Sequence, residues 1–477
     1  MKKILFAASE CTPFVKTGGL ADVVGSLPQA LMEEKLAEVR VILPFYNEIP
    51  SEWKEKMERI ASYNVKIGWR DQQATLFTLK DQEIVYYFIA NDYYFTRQGT
   101  YGYYDDGERF VFFSQAVMKA FNHFDFIPDV LHGHDWQTGL AVAFAKVSPP
   151  IANLKTVFTI HNIKYQGKMP HQAFDDLFNL PLEHFSGFEW DGMINCMKSG
   201  LFHADKITTV SPSYAEEIKN PYFSEGLHSV LYNREQDLSG VINGVNTNDY
   251  NPSIDPHIAV NYSHSRVKKK DNKEVIQKEF NLSINRDVPL YVVISRLVEQ
   301  KGFHLLEHIA DEFLQHDVQL IILGTGDHEF EHSFSHIALR HSDKMVTLLK
   351  FDEGLARQLY AAADFFIMPS MFEPCGLSQL IALQYKTVPI VRETGGLKDT
   401  VQPFNAITGK GNGFSFTDYN AHDFLSTLNL SFEIYHDSES WKRLVKNVNK
   451  SQFGWKESAK AYTDIYESFN DAVTHEE

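Results

Sequence analysis

The chain has 477 residues, which predicts about three domains of roughly 150 residues or two large ones and excludes a single small binding module. Hydrophobic residues make up 44%, charged residues 22% and aromatics 13%, so a sizeable core is within reach and wholesale disorder is excluded. The formal charge of −17 argues against a nucleic-acid or membrane-surface partner, since both need a positive field; an anionic small ligand would need a locally basic pocket.

The first element is a short apolar run, Ile4 to Ala8, preceded by two lysines. It stops at Ser9-Glu10, too short for the apolar core of a secretory leader, and no run approaches the roughly 18 residues of a membrane span. A loop with Pro13, Gly18 and Gly19 follows, then Leu20 to Leu31 at helical spacing, giving strand, loop and helix. Val39 to Leu43 reads as a second buried strand, with further apolar segments at Ile84–Ile89, Val130–His132 and Thr156–Ile160. Strands alternating with helical stretches predict a mostly parallel α/β sheet covered on both faces. The polar stretch Asn246 to Lys273, with Asn-Pro, Asp-Pro and Lys268-Lys269-Lys270, marks the expected domain boundary. A second cycle opens at Pro289–Ser295 and runs through Gln319–Leu323, Met345–Leu349, Phe365–Met368 and Val388–Val391. From Trp455 through Tyr466, aromatic and apolar groups at helical intervals predict a helix that must dock, with the first domain as its expected partner. The expected division is therefore 1–245, 246–455 and a returning helix in 456–477.

One short repeat stands out: Thr17 to Val24 and Thr394 to Val401 share T-G-G-L-x-D-x-V, each copy after a strand and before a helix. Two readings stay open, a pair of helix starts on tight glycine turns or a pair of ligand loops. Ligands of open parallel sheets bind beyond the carboxyl ends of the strands, so charge in those loops is the signal sought. Lys16-Thr17-Gly18-Gly19 offers an ammonium and a glycine backbone that an anion can approach, but it is neither a P-loop nor a dinucleotide fingerprint. Arg296 and Lys301, at a strand-to-helix junction, make a fork and a point charge suited to a diphosphate. Glu373 and Cys375 sit between the strand Phe365–Met368 and a helix starting near Leu377; with no adjacent histidine, Cys375 is not read as a nucleophile. His132 and His134 lack a third ligand at recognisable spacing, so no metal site is predicted. Asp135, Trp136 and His161 suit a sugar-lining surface, while Asp105, Asp106 and Glu108 read as a helix-start cap. Cys11, Cys196 and Cys375 are far apart, which fits neither a disulfide framework nor a zinc site and points to a reducing, cytoplasmic compartment.

Taken together in order, these segments resemble the bacterial glycogen synthase and plant starch synthase family. The resemblance rests on Lys16-Thr17-Gly18-Gly19-Leu20-Ala21-Asp22-Val23, His134-Asp135-Trp136-Gln137-Thr138-Gly139, Thr159-Ile160-His161-Asn162 and Thr209-Val210-Ser211-Pro212. It continues through Asn243-Gly244-Val245, Ser295-Arg296-Leu297, Gln300-Lys301-Gly302, Gly324-Thr325-Gly326-Asp327, Phe372-Glu373-Pro374-Cys375-Gly376-Leu377 and Thr394-Gly395-Gly396-Leu397. It implies two Rossmann-like domains facing across a deep cleft, the GT-B arrangement, and transfer of glucose from ADP-glucose to the non-reducing 4-hydroxyl of an α-1,4-glucan such as glycogen, with retention and with no cofactor. By the same resemblance Arg296 and Lys301 would hold the diphosphate, with Lys16 and the Gly18-Gly19 backbone beside phosphates and sugar. The Leu377 and Ser378 amides would cap the distal phosphate, in a loop that adds Cys375 and Gly376 to the nucleotide-sugar set. Glu373 would bind the glucose hydroxyls, Asp135 and His161 would line the reacting sugar, and Phe351 aligns with a tyrosine that stacks on adenine in some relatives. Retaining relatives outside the family often carry a second glutamate eight residues after the first; that position here is Ile381. A phosphorylase shares the architecture but requires lysine-bound pyridoxal phosphate, for which no matching lysine motif is present. A non-catalytic glucan-binding protein would tolerate loss of Arg296, Lys301 and Glu373, all of which are retained.

Overall fold

The computed structural model describes residues 1–469, so the end of the predicted 456–477 segment, residues 470–477, lies outside the described residues. The chain divides into two compact units: one holds Met1–Asn243 and the segment that begins at Trp455, the other Gly244–Gly454.

In the first unit the strands are β1 (Lys2–Ala7), β2 (Ala37–Pro44), β3 (Glu58–Ile67), β4 (Arg70–Asp81), β5 (Ile84–Ala90), β6 (Val130–His134) and β7 (Lys155–Ile160). The short strands β8 (Lys168–Pro170), β9 (Glu189–Trp190) and β10 (Met193–Asn195) form a small antiparallel sheet, and β11 (Lys206–Thr209) and β12 (Leu238–Gly240) complete the main one. The main sheet runs β12-β11-β7-β6-β1-β2-β5-β4-β3. Strand β1 pairs in parallel with β2 on one side and β6 on the other, so the order reverses beside it. Ile4, Leu5, Phe6 and Ala7 are all fully buried, which is why this strand reads as a continuous apolar run rather than an alternating one.

Strands β3 and β4 are an addition to the predicted elements. They form an antiparallel hairpin joined through Gly68. Their sequences mix Asn, Gln, Lys and Arg with a few apolar positions because the hairpin lies at the sheet edge and one face stays exposed. A search for apolar runs passes over such strands.

The second unit contains β13 (Leu290–Ile294), β14 (Gln319–Leu323), β15 (Met345–Leu348), β16 (Phe365–Met368), β17 (Val388–Arg392) and β18 (Phe414–Phe416), all parallel, in the order β15-β14-β13-β16-β17-β18. Here the order reverses between β13 and β16. That is the topological switch point of a doubly wound sheet, where the loops leaving adjacent strands part to opposite faces and leave a crevice.

Two loop readings change. The polar stretch Asn246 to Lys273 is no simple linker, because its last residues begin the helix Arg266–Glu279, capped by Ser265, and Lys273 is only 1% exposed. Asp105 and Asp106 do stand at the start of the helix Asp106–Ala120, but Asp105 caps no amide with its side chain. It forms a two-pronged ion pair with Arg97 at 2.6 and 2.8 Å, and Asp106 pairs with the buried Arg109 at 2.5 Å. The helix Trp455–Glu467 returns to the first unit and adds Trp455, Tyr462 and Tyr466 to its core. Ser458 Oγ donates to the Ile242 carbonyl at 2.6 Å.

Candidate active site

In the second unit the predicted residues gather at the carboxyl ends of β13, β15 and β16. Arg296 and Lys301 follow β13, Phe351 follows β15, and Glu373 to Ser378 follow β16. At the switch point, Lys301 Nζ donates to Glu373 Oε2 at 2.6 Å, and Ser370 Oγ donates to the same oxygen at 3.1 Å. Both charged side chains are largely buried, at 15% and 10% exposure, so the pair works in a medium of lowered dielectric. Arg296 is exposed, and its guanidinium has no hydrogen bond or ion pair among the described residues. The segment after β13 thus carries one cation engaged with a carboxylate, Lys301, and one with no such partner among the described residues, Arg296. Phe351 is 90% exposed, which leaves a full aromatic face open to a planar partner.

Backbone contacts fix these loops against one another. The Met371 amide donates to the Gln300 carbonyl at 2.8 Å and Gln300 Nε2 donates to the Phe372 carbonyl at 3.2 Å. Gly302 has φ +75°, and a Cβ there would fall 2.0 Å from the Pro369 carbonyl oxygen, so the turn before the helix Phe303–Phe313 demands glycine. The second T-G-G-L copy supports Glu373 from the other side. The Gly396 amide donates to the Glu373 and Pro374 carbonyls, and a Cβ on Gly395 would meet the Glu373 oxygen at 2.1 Å. Below the loop, Gln379 Nε2 donates to the Cys375 and Gly376 carbonyls at 3.0 and 2.8 Å. Leu377 and Ser378 stand at the start of the helix Ser378–Gln384, whose first amides have no intrahelical acceptors and face the loop end. Cys375 is buried and forms no disulfide among the described residues. Ser370, Gln379, Gly395 and Gly396 were not singled out as site residues; only the T-G-G-L repeat hinted at the last two.

In the first unit the carboxyl end of β1 leads to Glu10, a residue the sequence marks only as the end of an apolar run. Its buried carboxylate accepts from the Thr17 amide at 2.5 Å, the Gly18 amide at 3.2 Å and the Thr17 hydroxyl at 3.0 Å, holding the Lys16 to Gly19 loop in place. Burial pushes the Glu10 carboxyl up, and the hydrogen bonds from Thr17 and Gly18 hold it down in part. The Gly18 amide is therefore already engaged. Lys16 pairs with Asp22 at 2.8 Å.

At the end of β6, Asp135 adopts φ +57° in a position where side chains are strained. Its Oδ1 accepts from the His161 amide at 2.7 Å and the Asn162 amide at 3.3 Å, which ties the ends of β6 and β7 together. Burial pushes the Asp135 carboxyl up to about 7, against those two amides. The strand β6 runs through His134, so His132 and His134 are buried strand residues and not members of a loop. His132 bonds Tyr466 at 2.8 Å and Thr159 at 2.6 Å, and His134 Nδ1 lies 3.0 Å from His161 Nε2. Among the described residues no cluster of three or more metal-ligating groups forms. His134 Nε2 is buried without a partner. A bare lone pair there costs less than a bare N–H, so His134 carries its proton on Nδ1 and donates to His161 Nε2, leaving the His161 proton on Nδ1. Burial pushes His161 down to about 3, so its imidazole is neutral at physiological pH. Trp136 packs edge-on against Phe110 and under Gly167, where a Cβ would strike its ring at 2.1 Å; it braces the loop.

Two doubly wound units with charged loops at their switch points have the organisation of an enzyme that handles a nucleotide-linked substrate. The comparisons specify which. Residues 3–233 match the starch synthase catalytic domain family, and residues 274–451 match the glycosyl transferases group 1 family. The solved catalytic domain of starch synthase IV from Arabidopsis thaliana, bound to ADP and acarbose, superposes with a TM-score of 0.89 at 30% identity, covering 98% of this chain and 99% of that one. The chain is a glycosyltransferase of the GT-B class. Glycogen synthase from Oceanobacillus iheyensis is 60% identical over 98% of both chains, and that from Geobacillus stearothermophilus 45% identical over 98% of this chain and 97% of its own. The chain belongs to the glycogen synthase and starch synthase family.

Proposed function

We propose that the protein elongates an α-1,4-glucan by moving glucose from ADP-glucose to a non-reducing 4-hydroxyl with retention at the anomeric carbon. The observation that carries the reading is the Lys301–Glu373 pair at the β13/β16 switch point, in a chain whose relatives are glycogen synthases along their whole length. The ADP and acarbose held by the Arabidopsis starch synthase support an adenine nucleotide and a glucan-like acceptor.

In this reading Arg296, unpaired in the free protein, takes the diphosphate first, and Lys301 shares its charge between Glu373 and the phosphates. Breaking the C1–O bond leaves extra negative charge on the departing diphosphate. Arg296, Lys301 and the amides of Leu377 and Ser378 stabilise that charge more than they stabilise the bound donor, which is what lowers the barrier. Glu373 holds glucose hydroxyls, Phe351 stacks on the base, and Cys375 and Gly376 supply backbone along the donor. Asp135 and the His161 Nδ1–H bind the reacting sugar, with Lys16 and the Gly18-Gly19 turn beside it. A double displacement requires a second carboxylate about 5 Å from the first. The position that bears it in other retaining enzymes is Ile381, a buried core residue of the helix behind the loop. Departure and attack on one face of the sugar fit that arrangement. Three free, buried cysteines support a reducing compartment such as the cytoplasm.

The test is a donor screen. Labelled ADP-glucose and UDP-glucose are each incubated with glycogen, and polymer-bound label and released nucleotide are measured. Transfer from ADP-glucose is expected; no transfer from either donor by folded protein would reject the reading.

A further inference from the structure

Away from the site loops, at the opposite ends of β16 and β17, the second unit contains a narrow crevice of about 20 Å³ that opens to solvent. Its walls are unusually basic for a chain of charge −17. The helix Arg266–Glu279 places Arg266, Lys269, Lys270 and Lys273 along it at helical spacing, and Lys386 enters from the turn before β17. The only carboxylate in the lining is Asp364, just before β16.

The cations fall into two groups. Lys269 donates to the carbonyls of Tyr360, Ala361 and Tyr385 at 3.0 to 3.1 Å and to Thr387 Oγ1 at 2.8 Å. Lys273 pairs with Asp364 at 2.5 Å, and Lys270 reaches out to Asp287 at 2.7 Å. These three are structural anchors. Arg266 and Lys386, both half-buried, have no hydrogen bond or ion pair among the described residues. Arg266 is fixed over the Trp441 ring at 5.1 Å, and Lys386 holds a left-handed backbone at φ +61°. Asp364 is already spent on Lys273 and on the Leu290 amide at 2.9 Å. Two half-desolvated cations therefore face one crevice beside Lys269 and the buried Lys273, with the already paired Asp364 as the one carboxylate of the lining to offset them, an arrangement that costs stability unless a ligand supplies further negative charge.

We propose that this crevice is a binding site for a phosphate group, free or as a phosphomonoester, with Arg266 as its fork and Lys386 as its point charge. A phosphate offers the multiple anionic oxygens that a planar guanidinium and a mobile ammonium reach from two sides. The site is separate from the donor site and stands whether or not that assignment holds.

Calorimetry on the full chain with ADP saturating tests the proposal, with inorganic phosphate and a hexose monophosphate as probes and ionic strength held constant by sodium chloride. The parent should bind at least one of the two, and the stronger probe tells free phosphate from ester. Arg266→Gln/Lys386→Asn should weaken that binding at least about tenfold, the loss expected for one charge-assisted hydrogen bond or more. Without phosphate, Lys386→Asn should melt at or above the parent, since it removes repulsion and no hydrogen bond or ion pair, whereas Arg266→Gln also gives up the Trp441 ring contact; Lys386→Asn alone serves if the double variant does not fold. Binding of neither probe to the parent, or affinities within threefold of the parent in the variants, would overturn the proposal.

Discussion

Lys301 and Glu373 are 72 positions apart and meet at 2.6 Å, so each sets the electrostatic environment of the other. Removing one partner leaves the second largely buried and poorly compensated. Lys301→Ala should therefore destabilise the protein by about 3 kcal/mol, in the range for breaking a buried pair, whereas Lys301→Met/Glu373→Gln should recover more than half of that loss. Denaturant melts of the three proteins give the answer; equal destabilisation in both variants would mean that the pair does not couple. The charges themselves are visible in the sequence, because each follows an apolar strand. Their pairing is not, since nothing local reports that β13 and β16 are neighbours. Glu10 escaped notice for a related reason: its partners include the backbone amides of Thr17 and Gly18, which have no residue-type signature, and the hydroxyl of Tyr101, 91 positions away.

At the scale of elements, the two T-G-G-L copies look alike in sequence and differ in what their glycines do. Both begin helices, Gly19–Glu33 and Gly395–Thr400. Gly396 lies so close to Cys375 that a Cβ would sit 2.1 Å from its carbonyl oxygen, while a Cβ on Gly18 would meet nothing within 4 Å and its φ of −156° suits any residue. Gly18→Ala should thus change stability by less than about 0.5 kcal/mol, as an uncrowded surface substitution does, and lower transfer activity if the Gly18-Gly19 turn binds as proposed. Gly396→Ala should instead cost about 2 kcal/mol or more by forcing the Glu373 loop to move. Thermal melting and initial rates separate the two. The same contrast governs how much of the fold could be read. Strands buried on both faces, such as Ile4 to Ala7 and Leu290 to Val293, announce themselves as apolar runs; the half-exposed hairpin β3–β4 does not, and the lysines that begin the helix Arg266–Glu279 look like linker until their burial is seen.

For the whole molecule, buried histidines set the response to acid. Desolvation depresses His132 and His134 well below the ordinary range, His161 to about 3 and His203 to about 4. Their folded values lie below the unfolded one, so they leave stability intact above about pH 6.5 and remove it as the pH falls below that point, where the unfolded chain binds protons the folded one refuses. Asp135, raised to about 7, acts in the opposite sense: its cost grows as the pH rises from about 4 to 7 and then levels off. The melting temperature should fall below about pH 6, four histidines outweighing the two raised carboxyls, Glu10 and Asp135, and the advantage of Asp135→Asn over the parent should grow between pH 4 and 7. A melting temperature flat from pH 7 to 4 would contradict this account of the core. The central claim, that the β13/β16 switch point is where glucose leaves its donor, is tested most directly by one number: the rate at which labelled glucose passes from saturating ADP-glucose to glycogen in Glu373→Gln relative to the parent. A carboxylate that holds the sugar predicts a fall of at least about tenfold, roughly 1.4 kcal/mol of transition-state stabilisation, in a protein that still melts as a folded chain. An unchanged rate would contradict it and leave Glu373 as a loop support for Lys301.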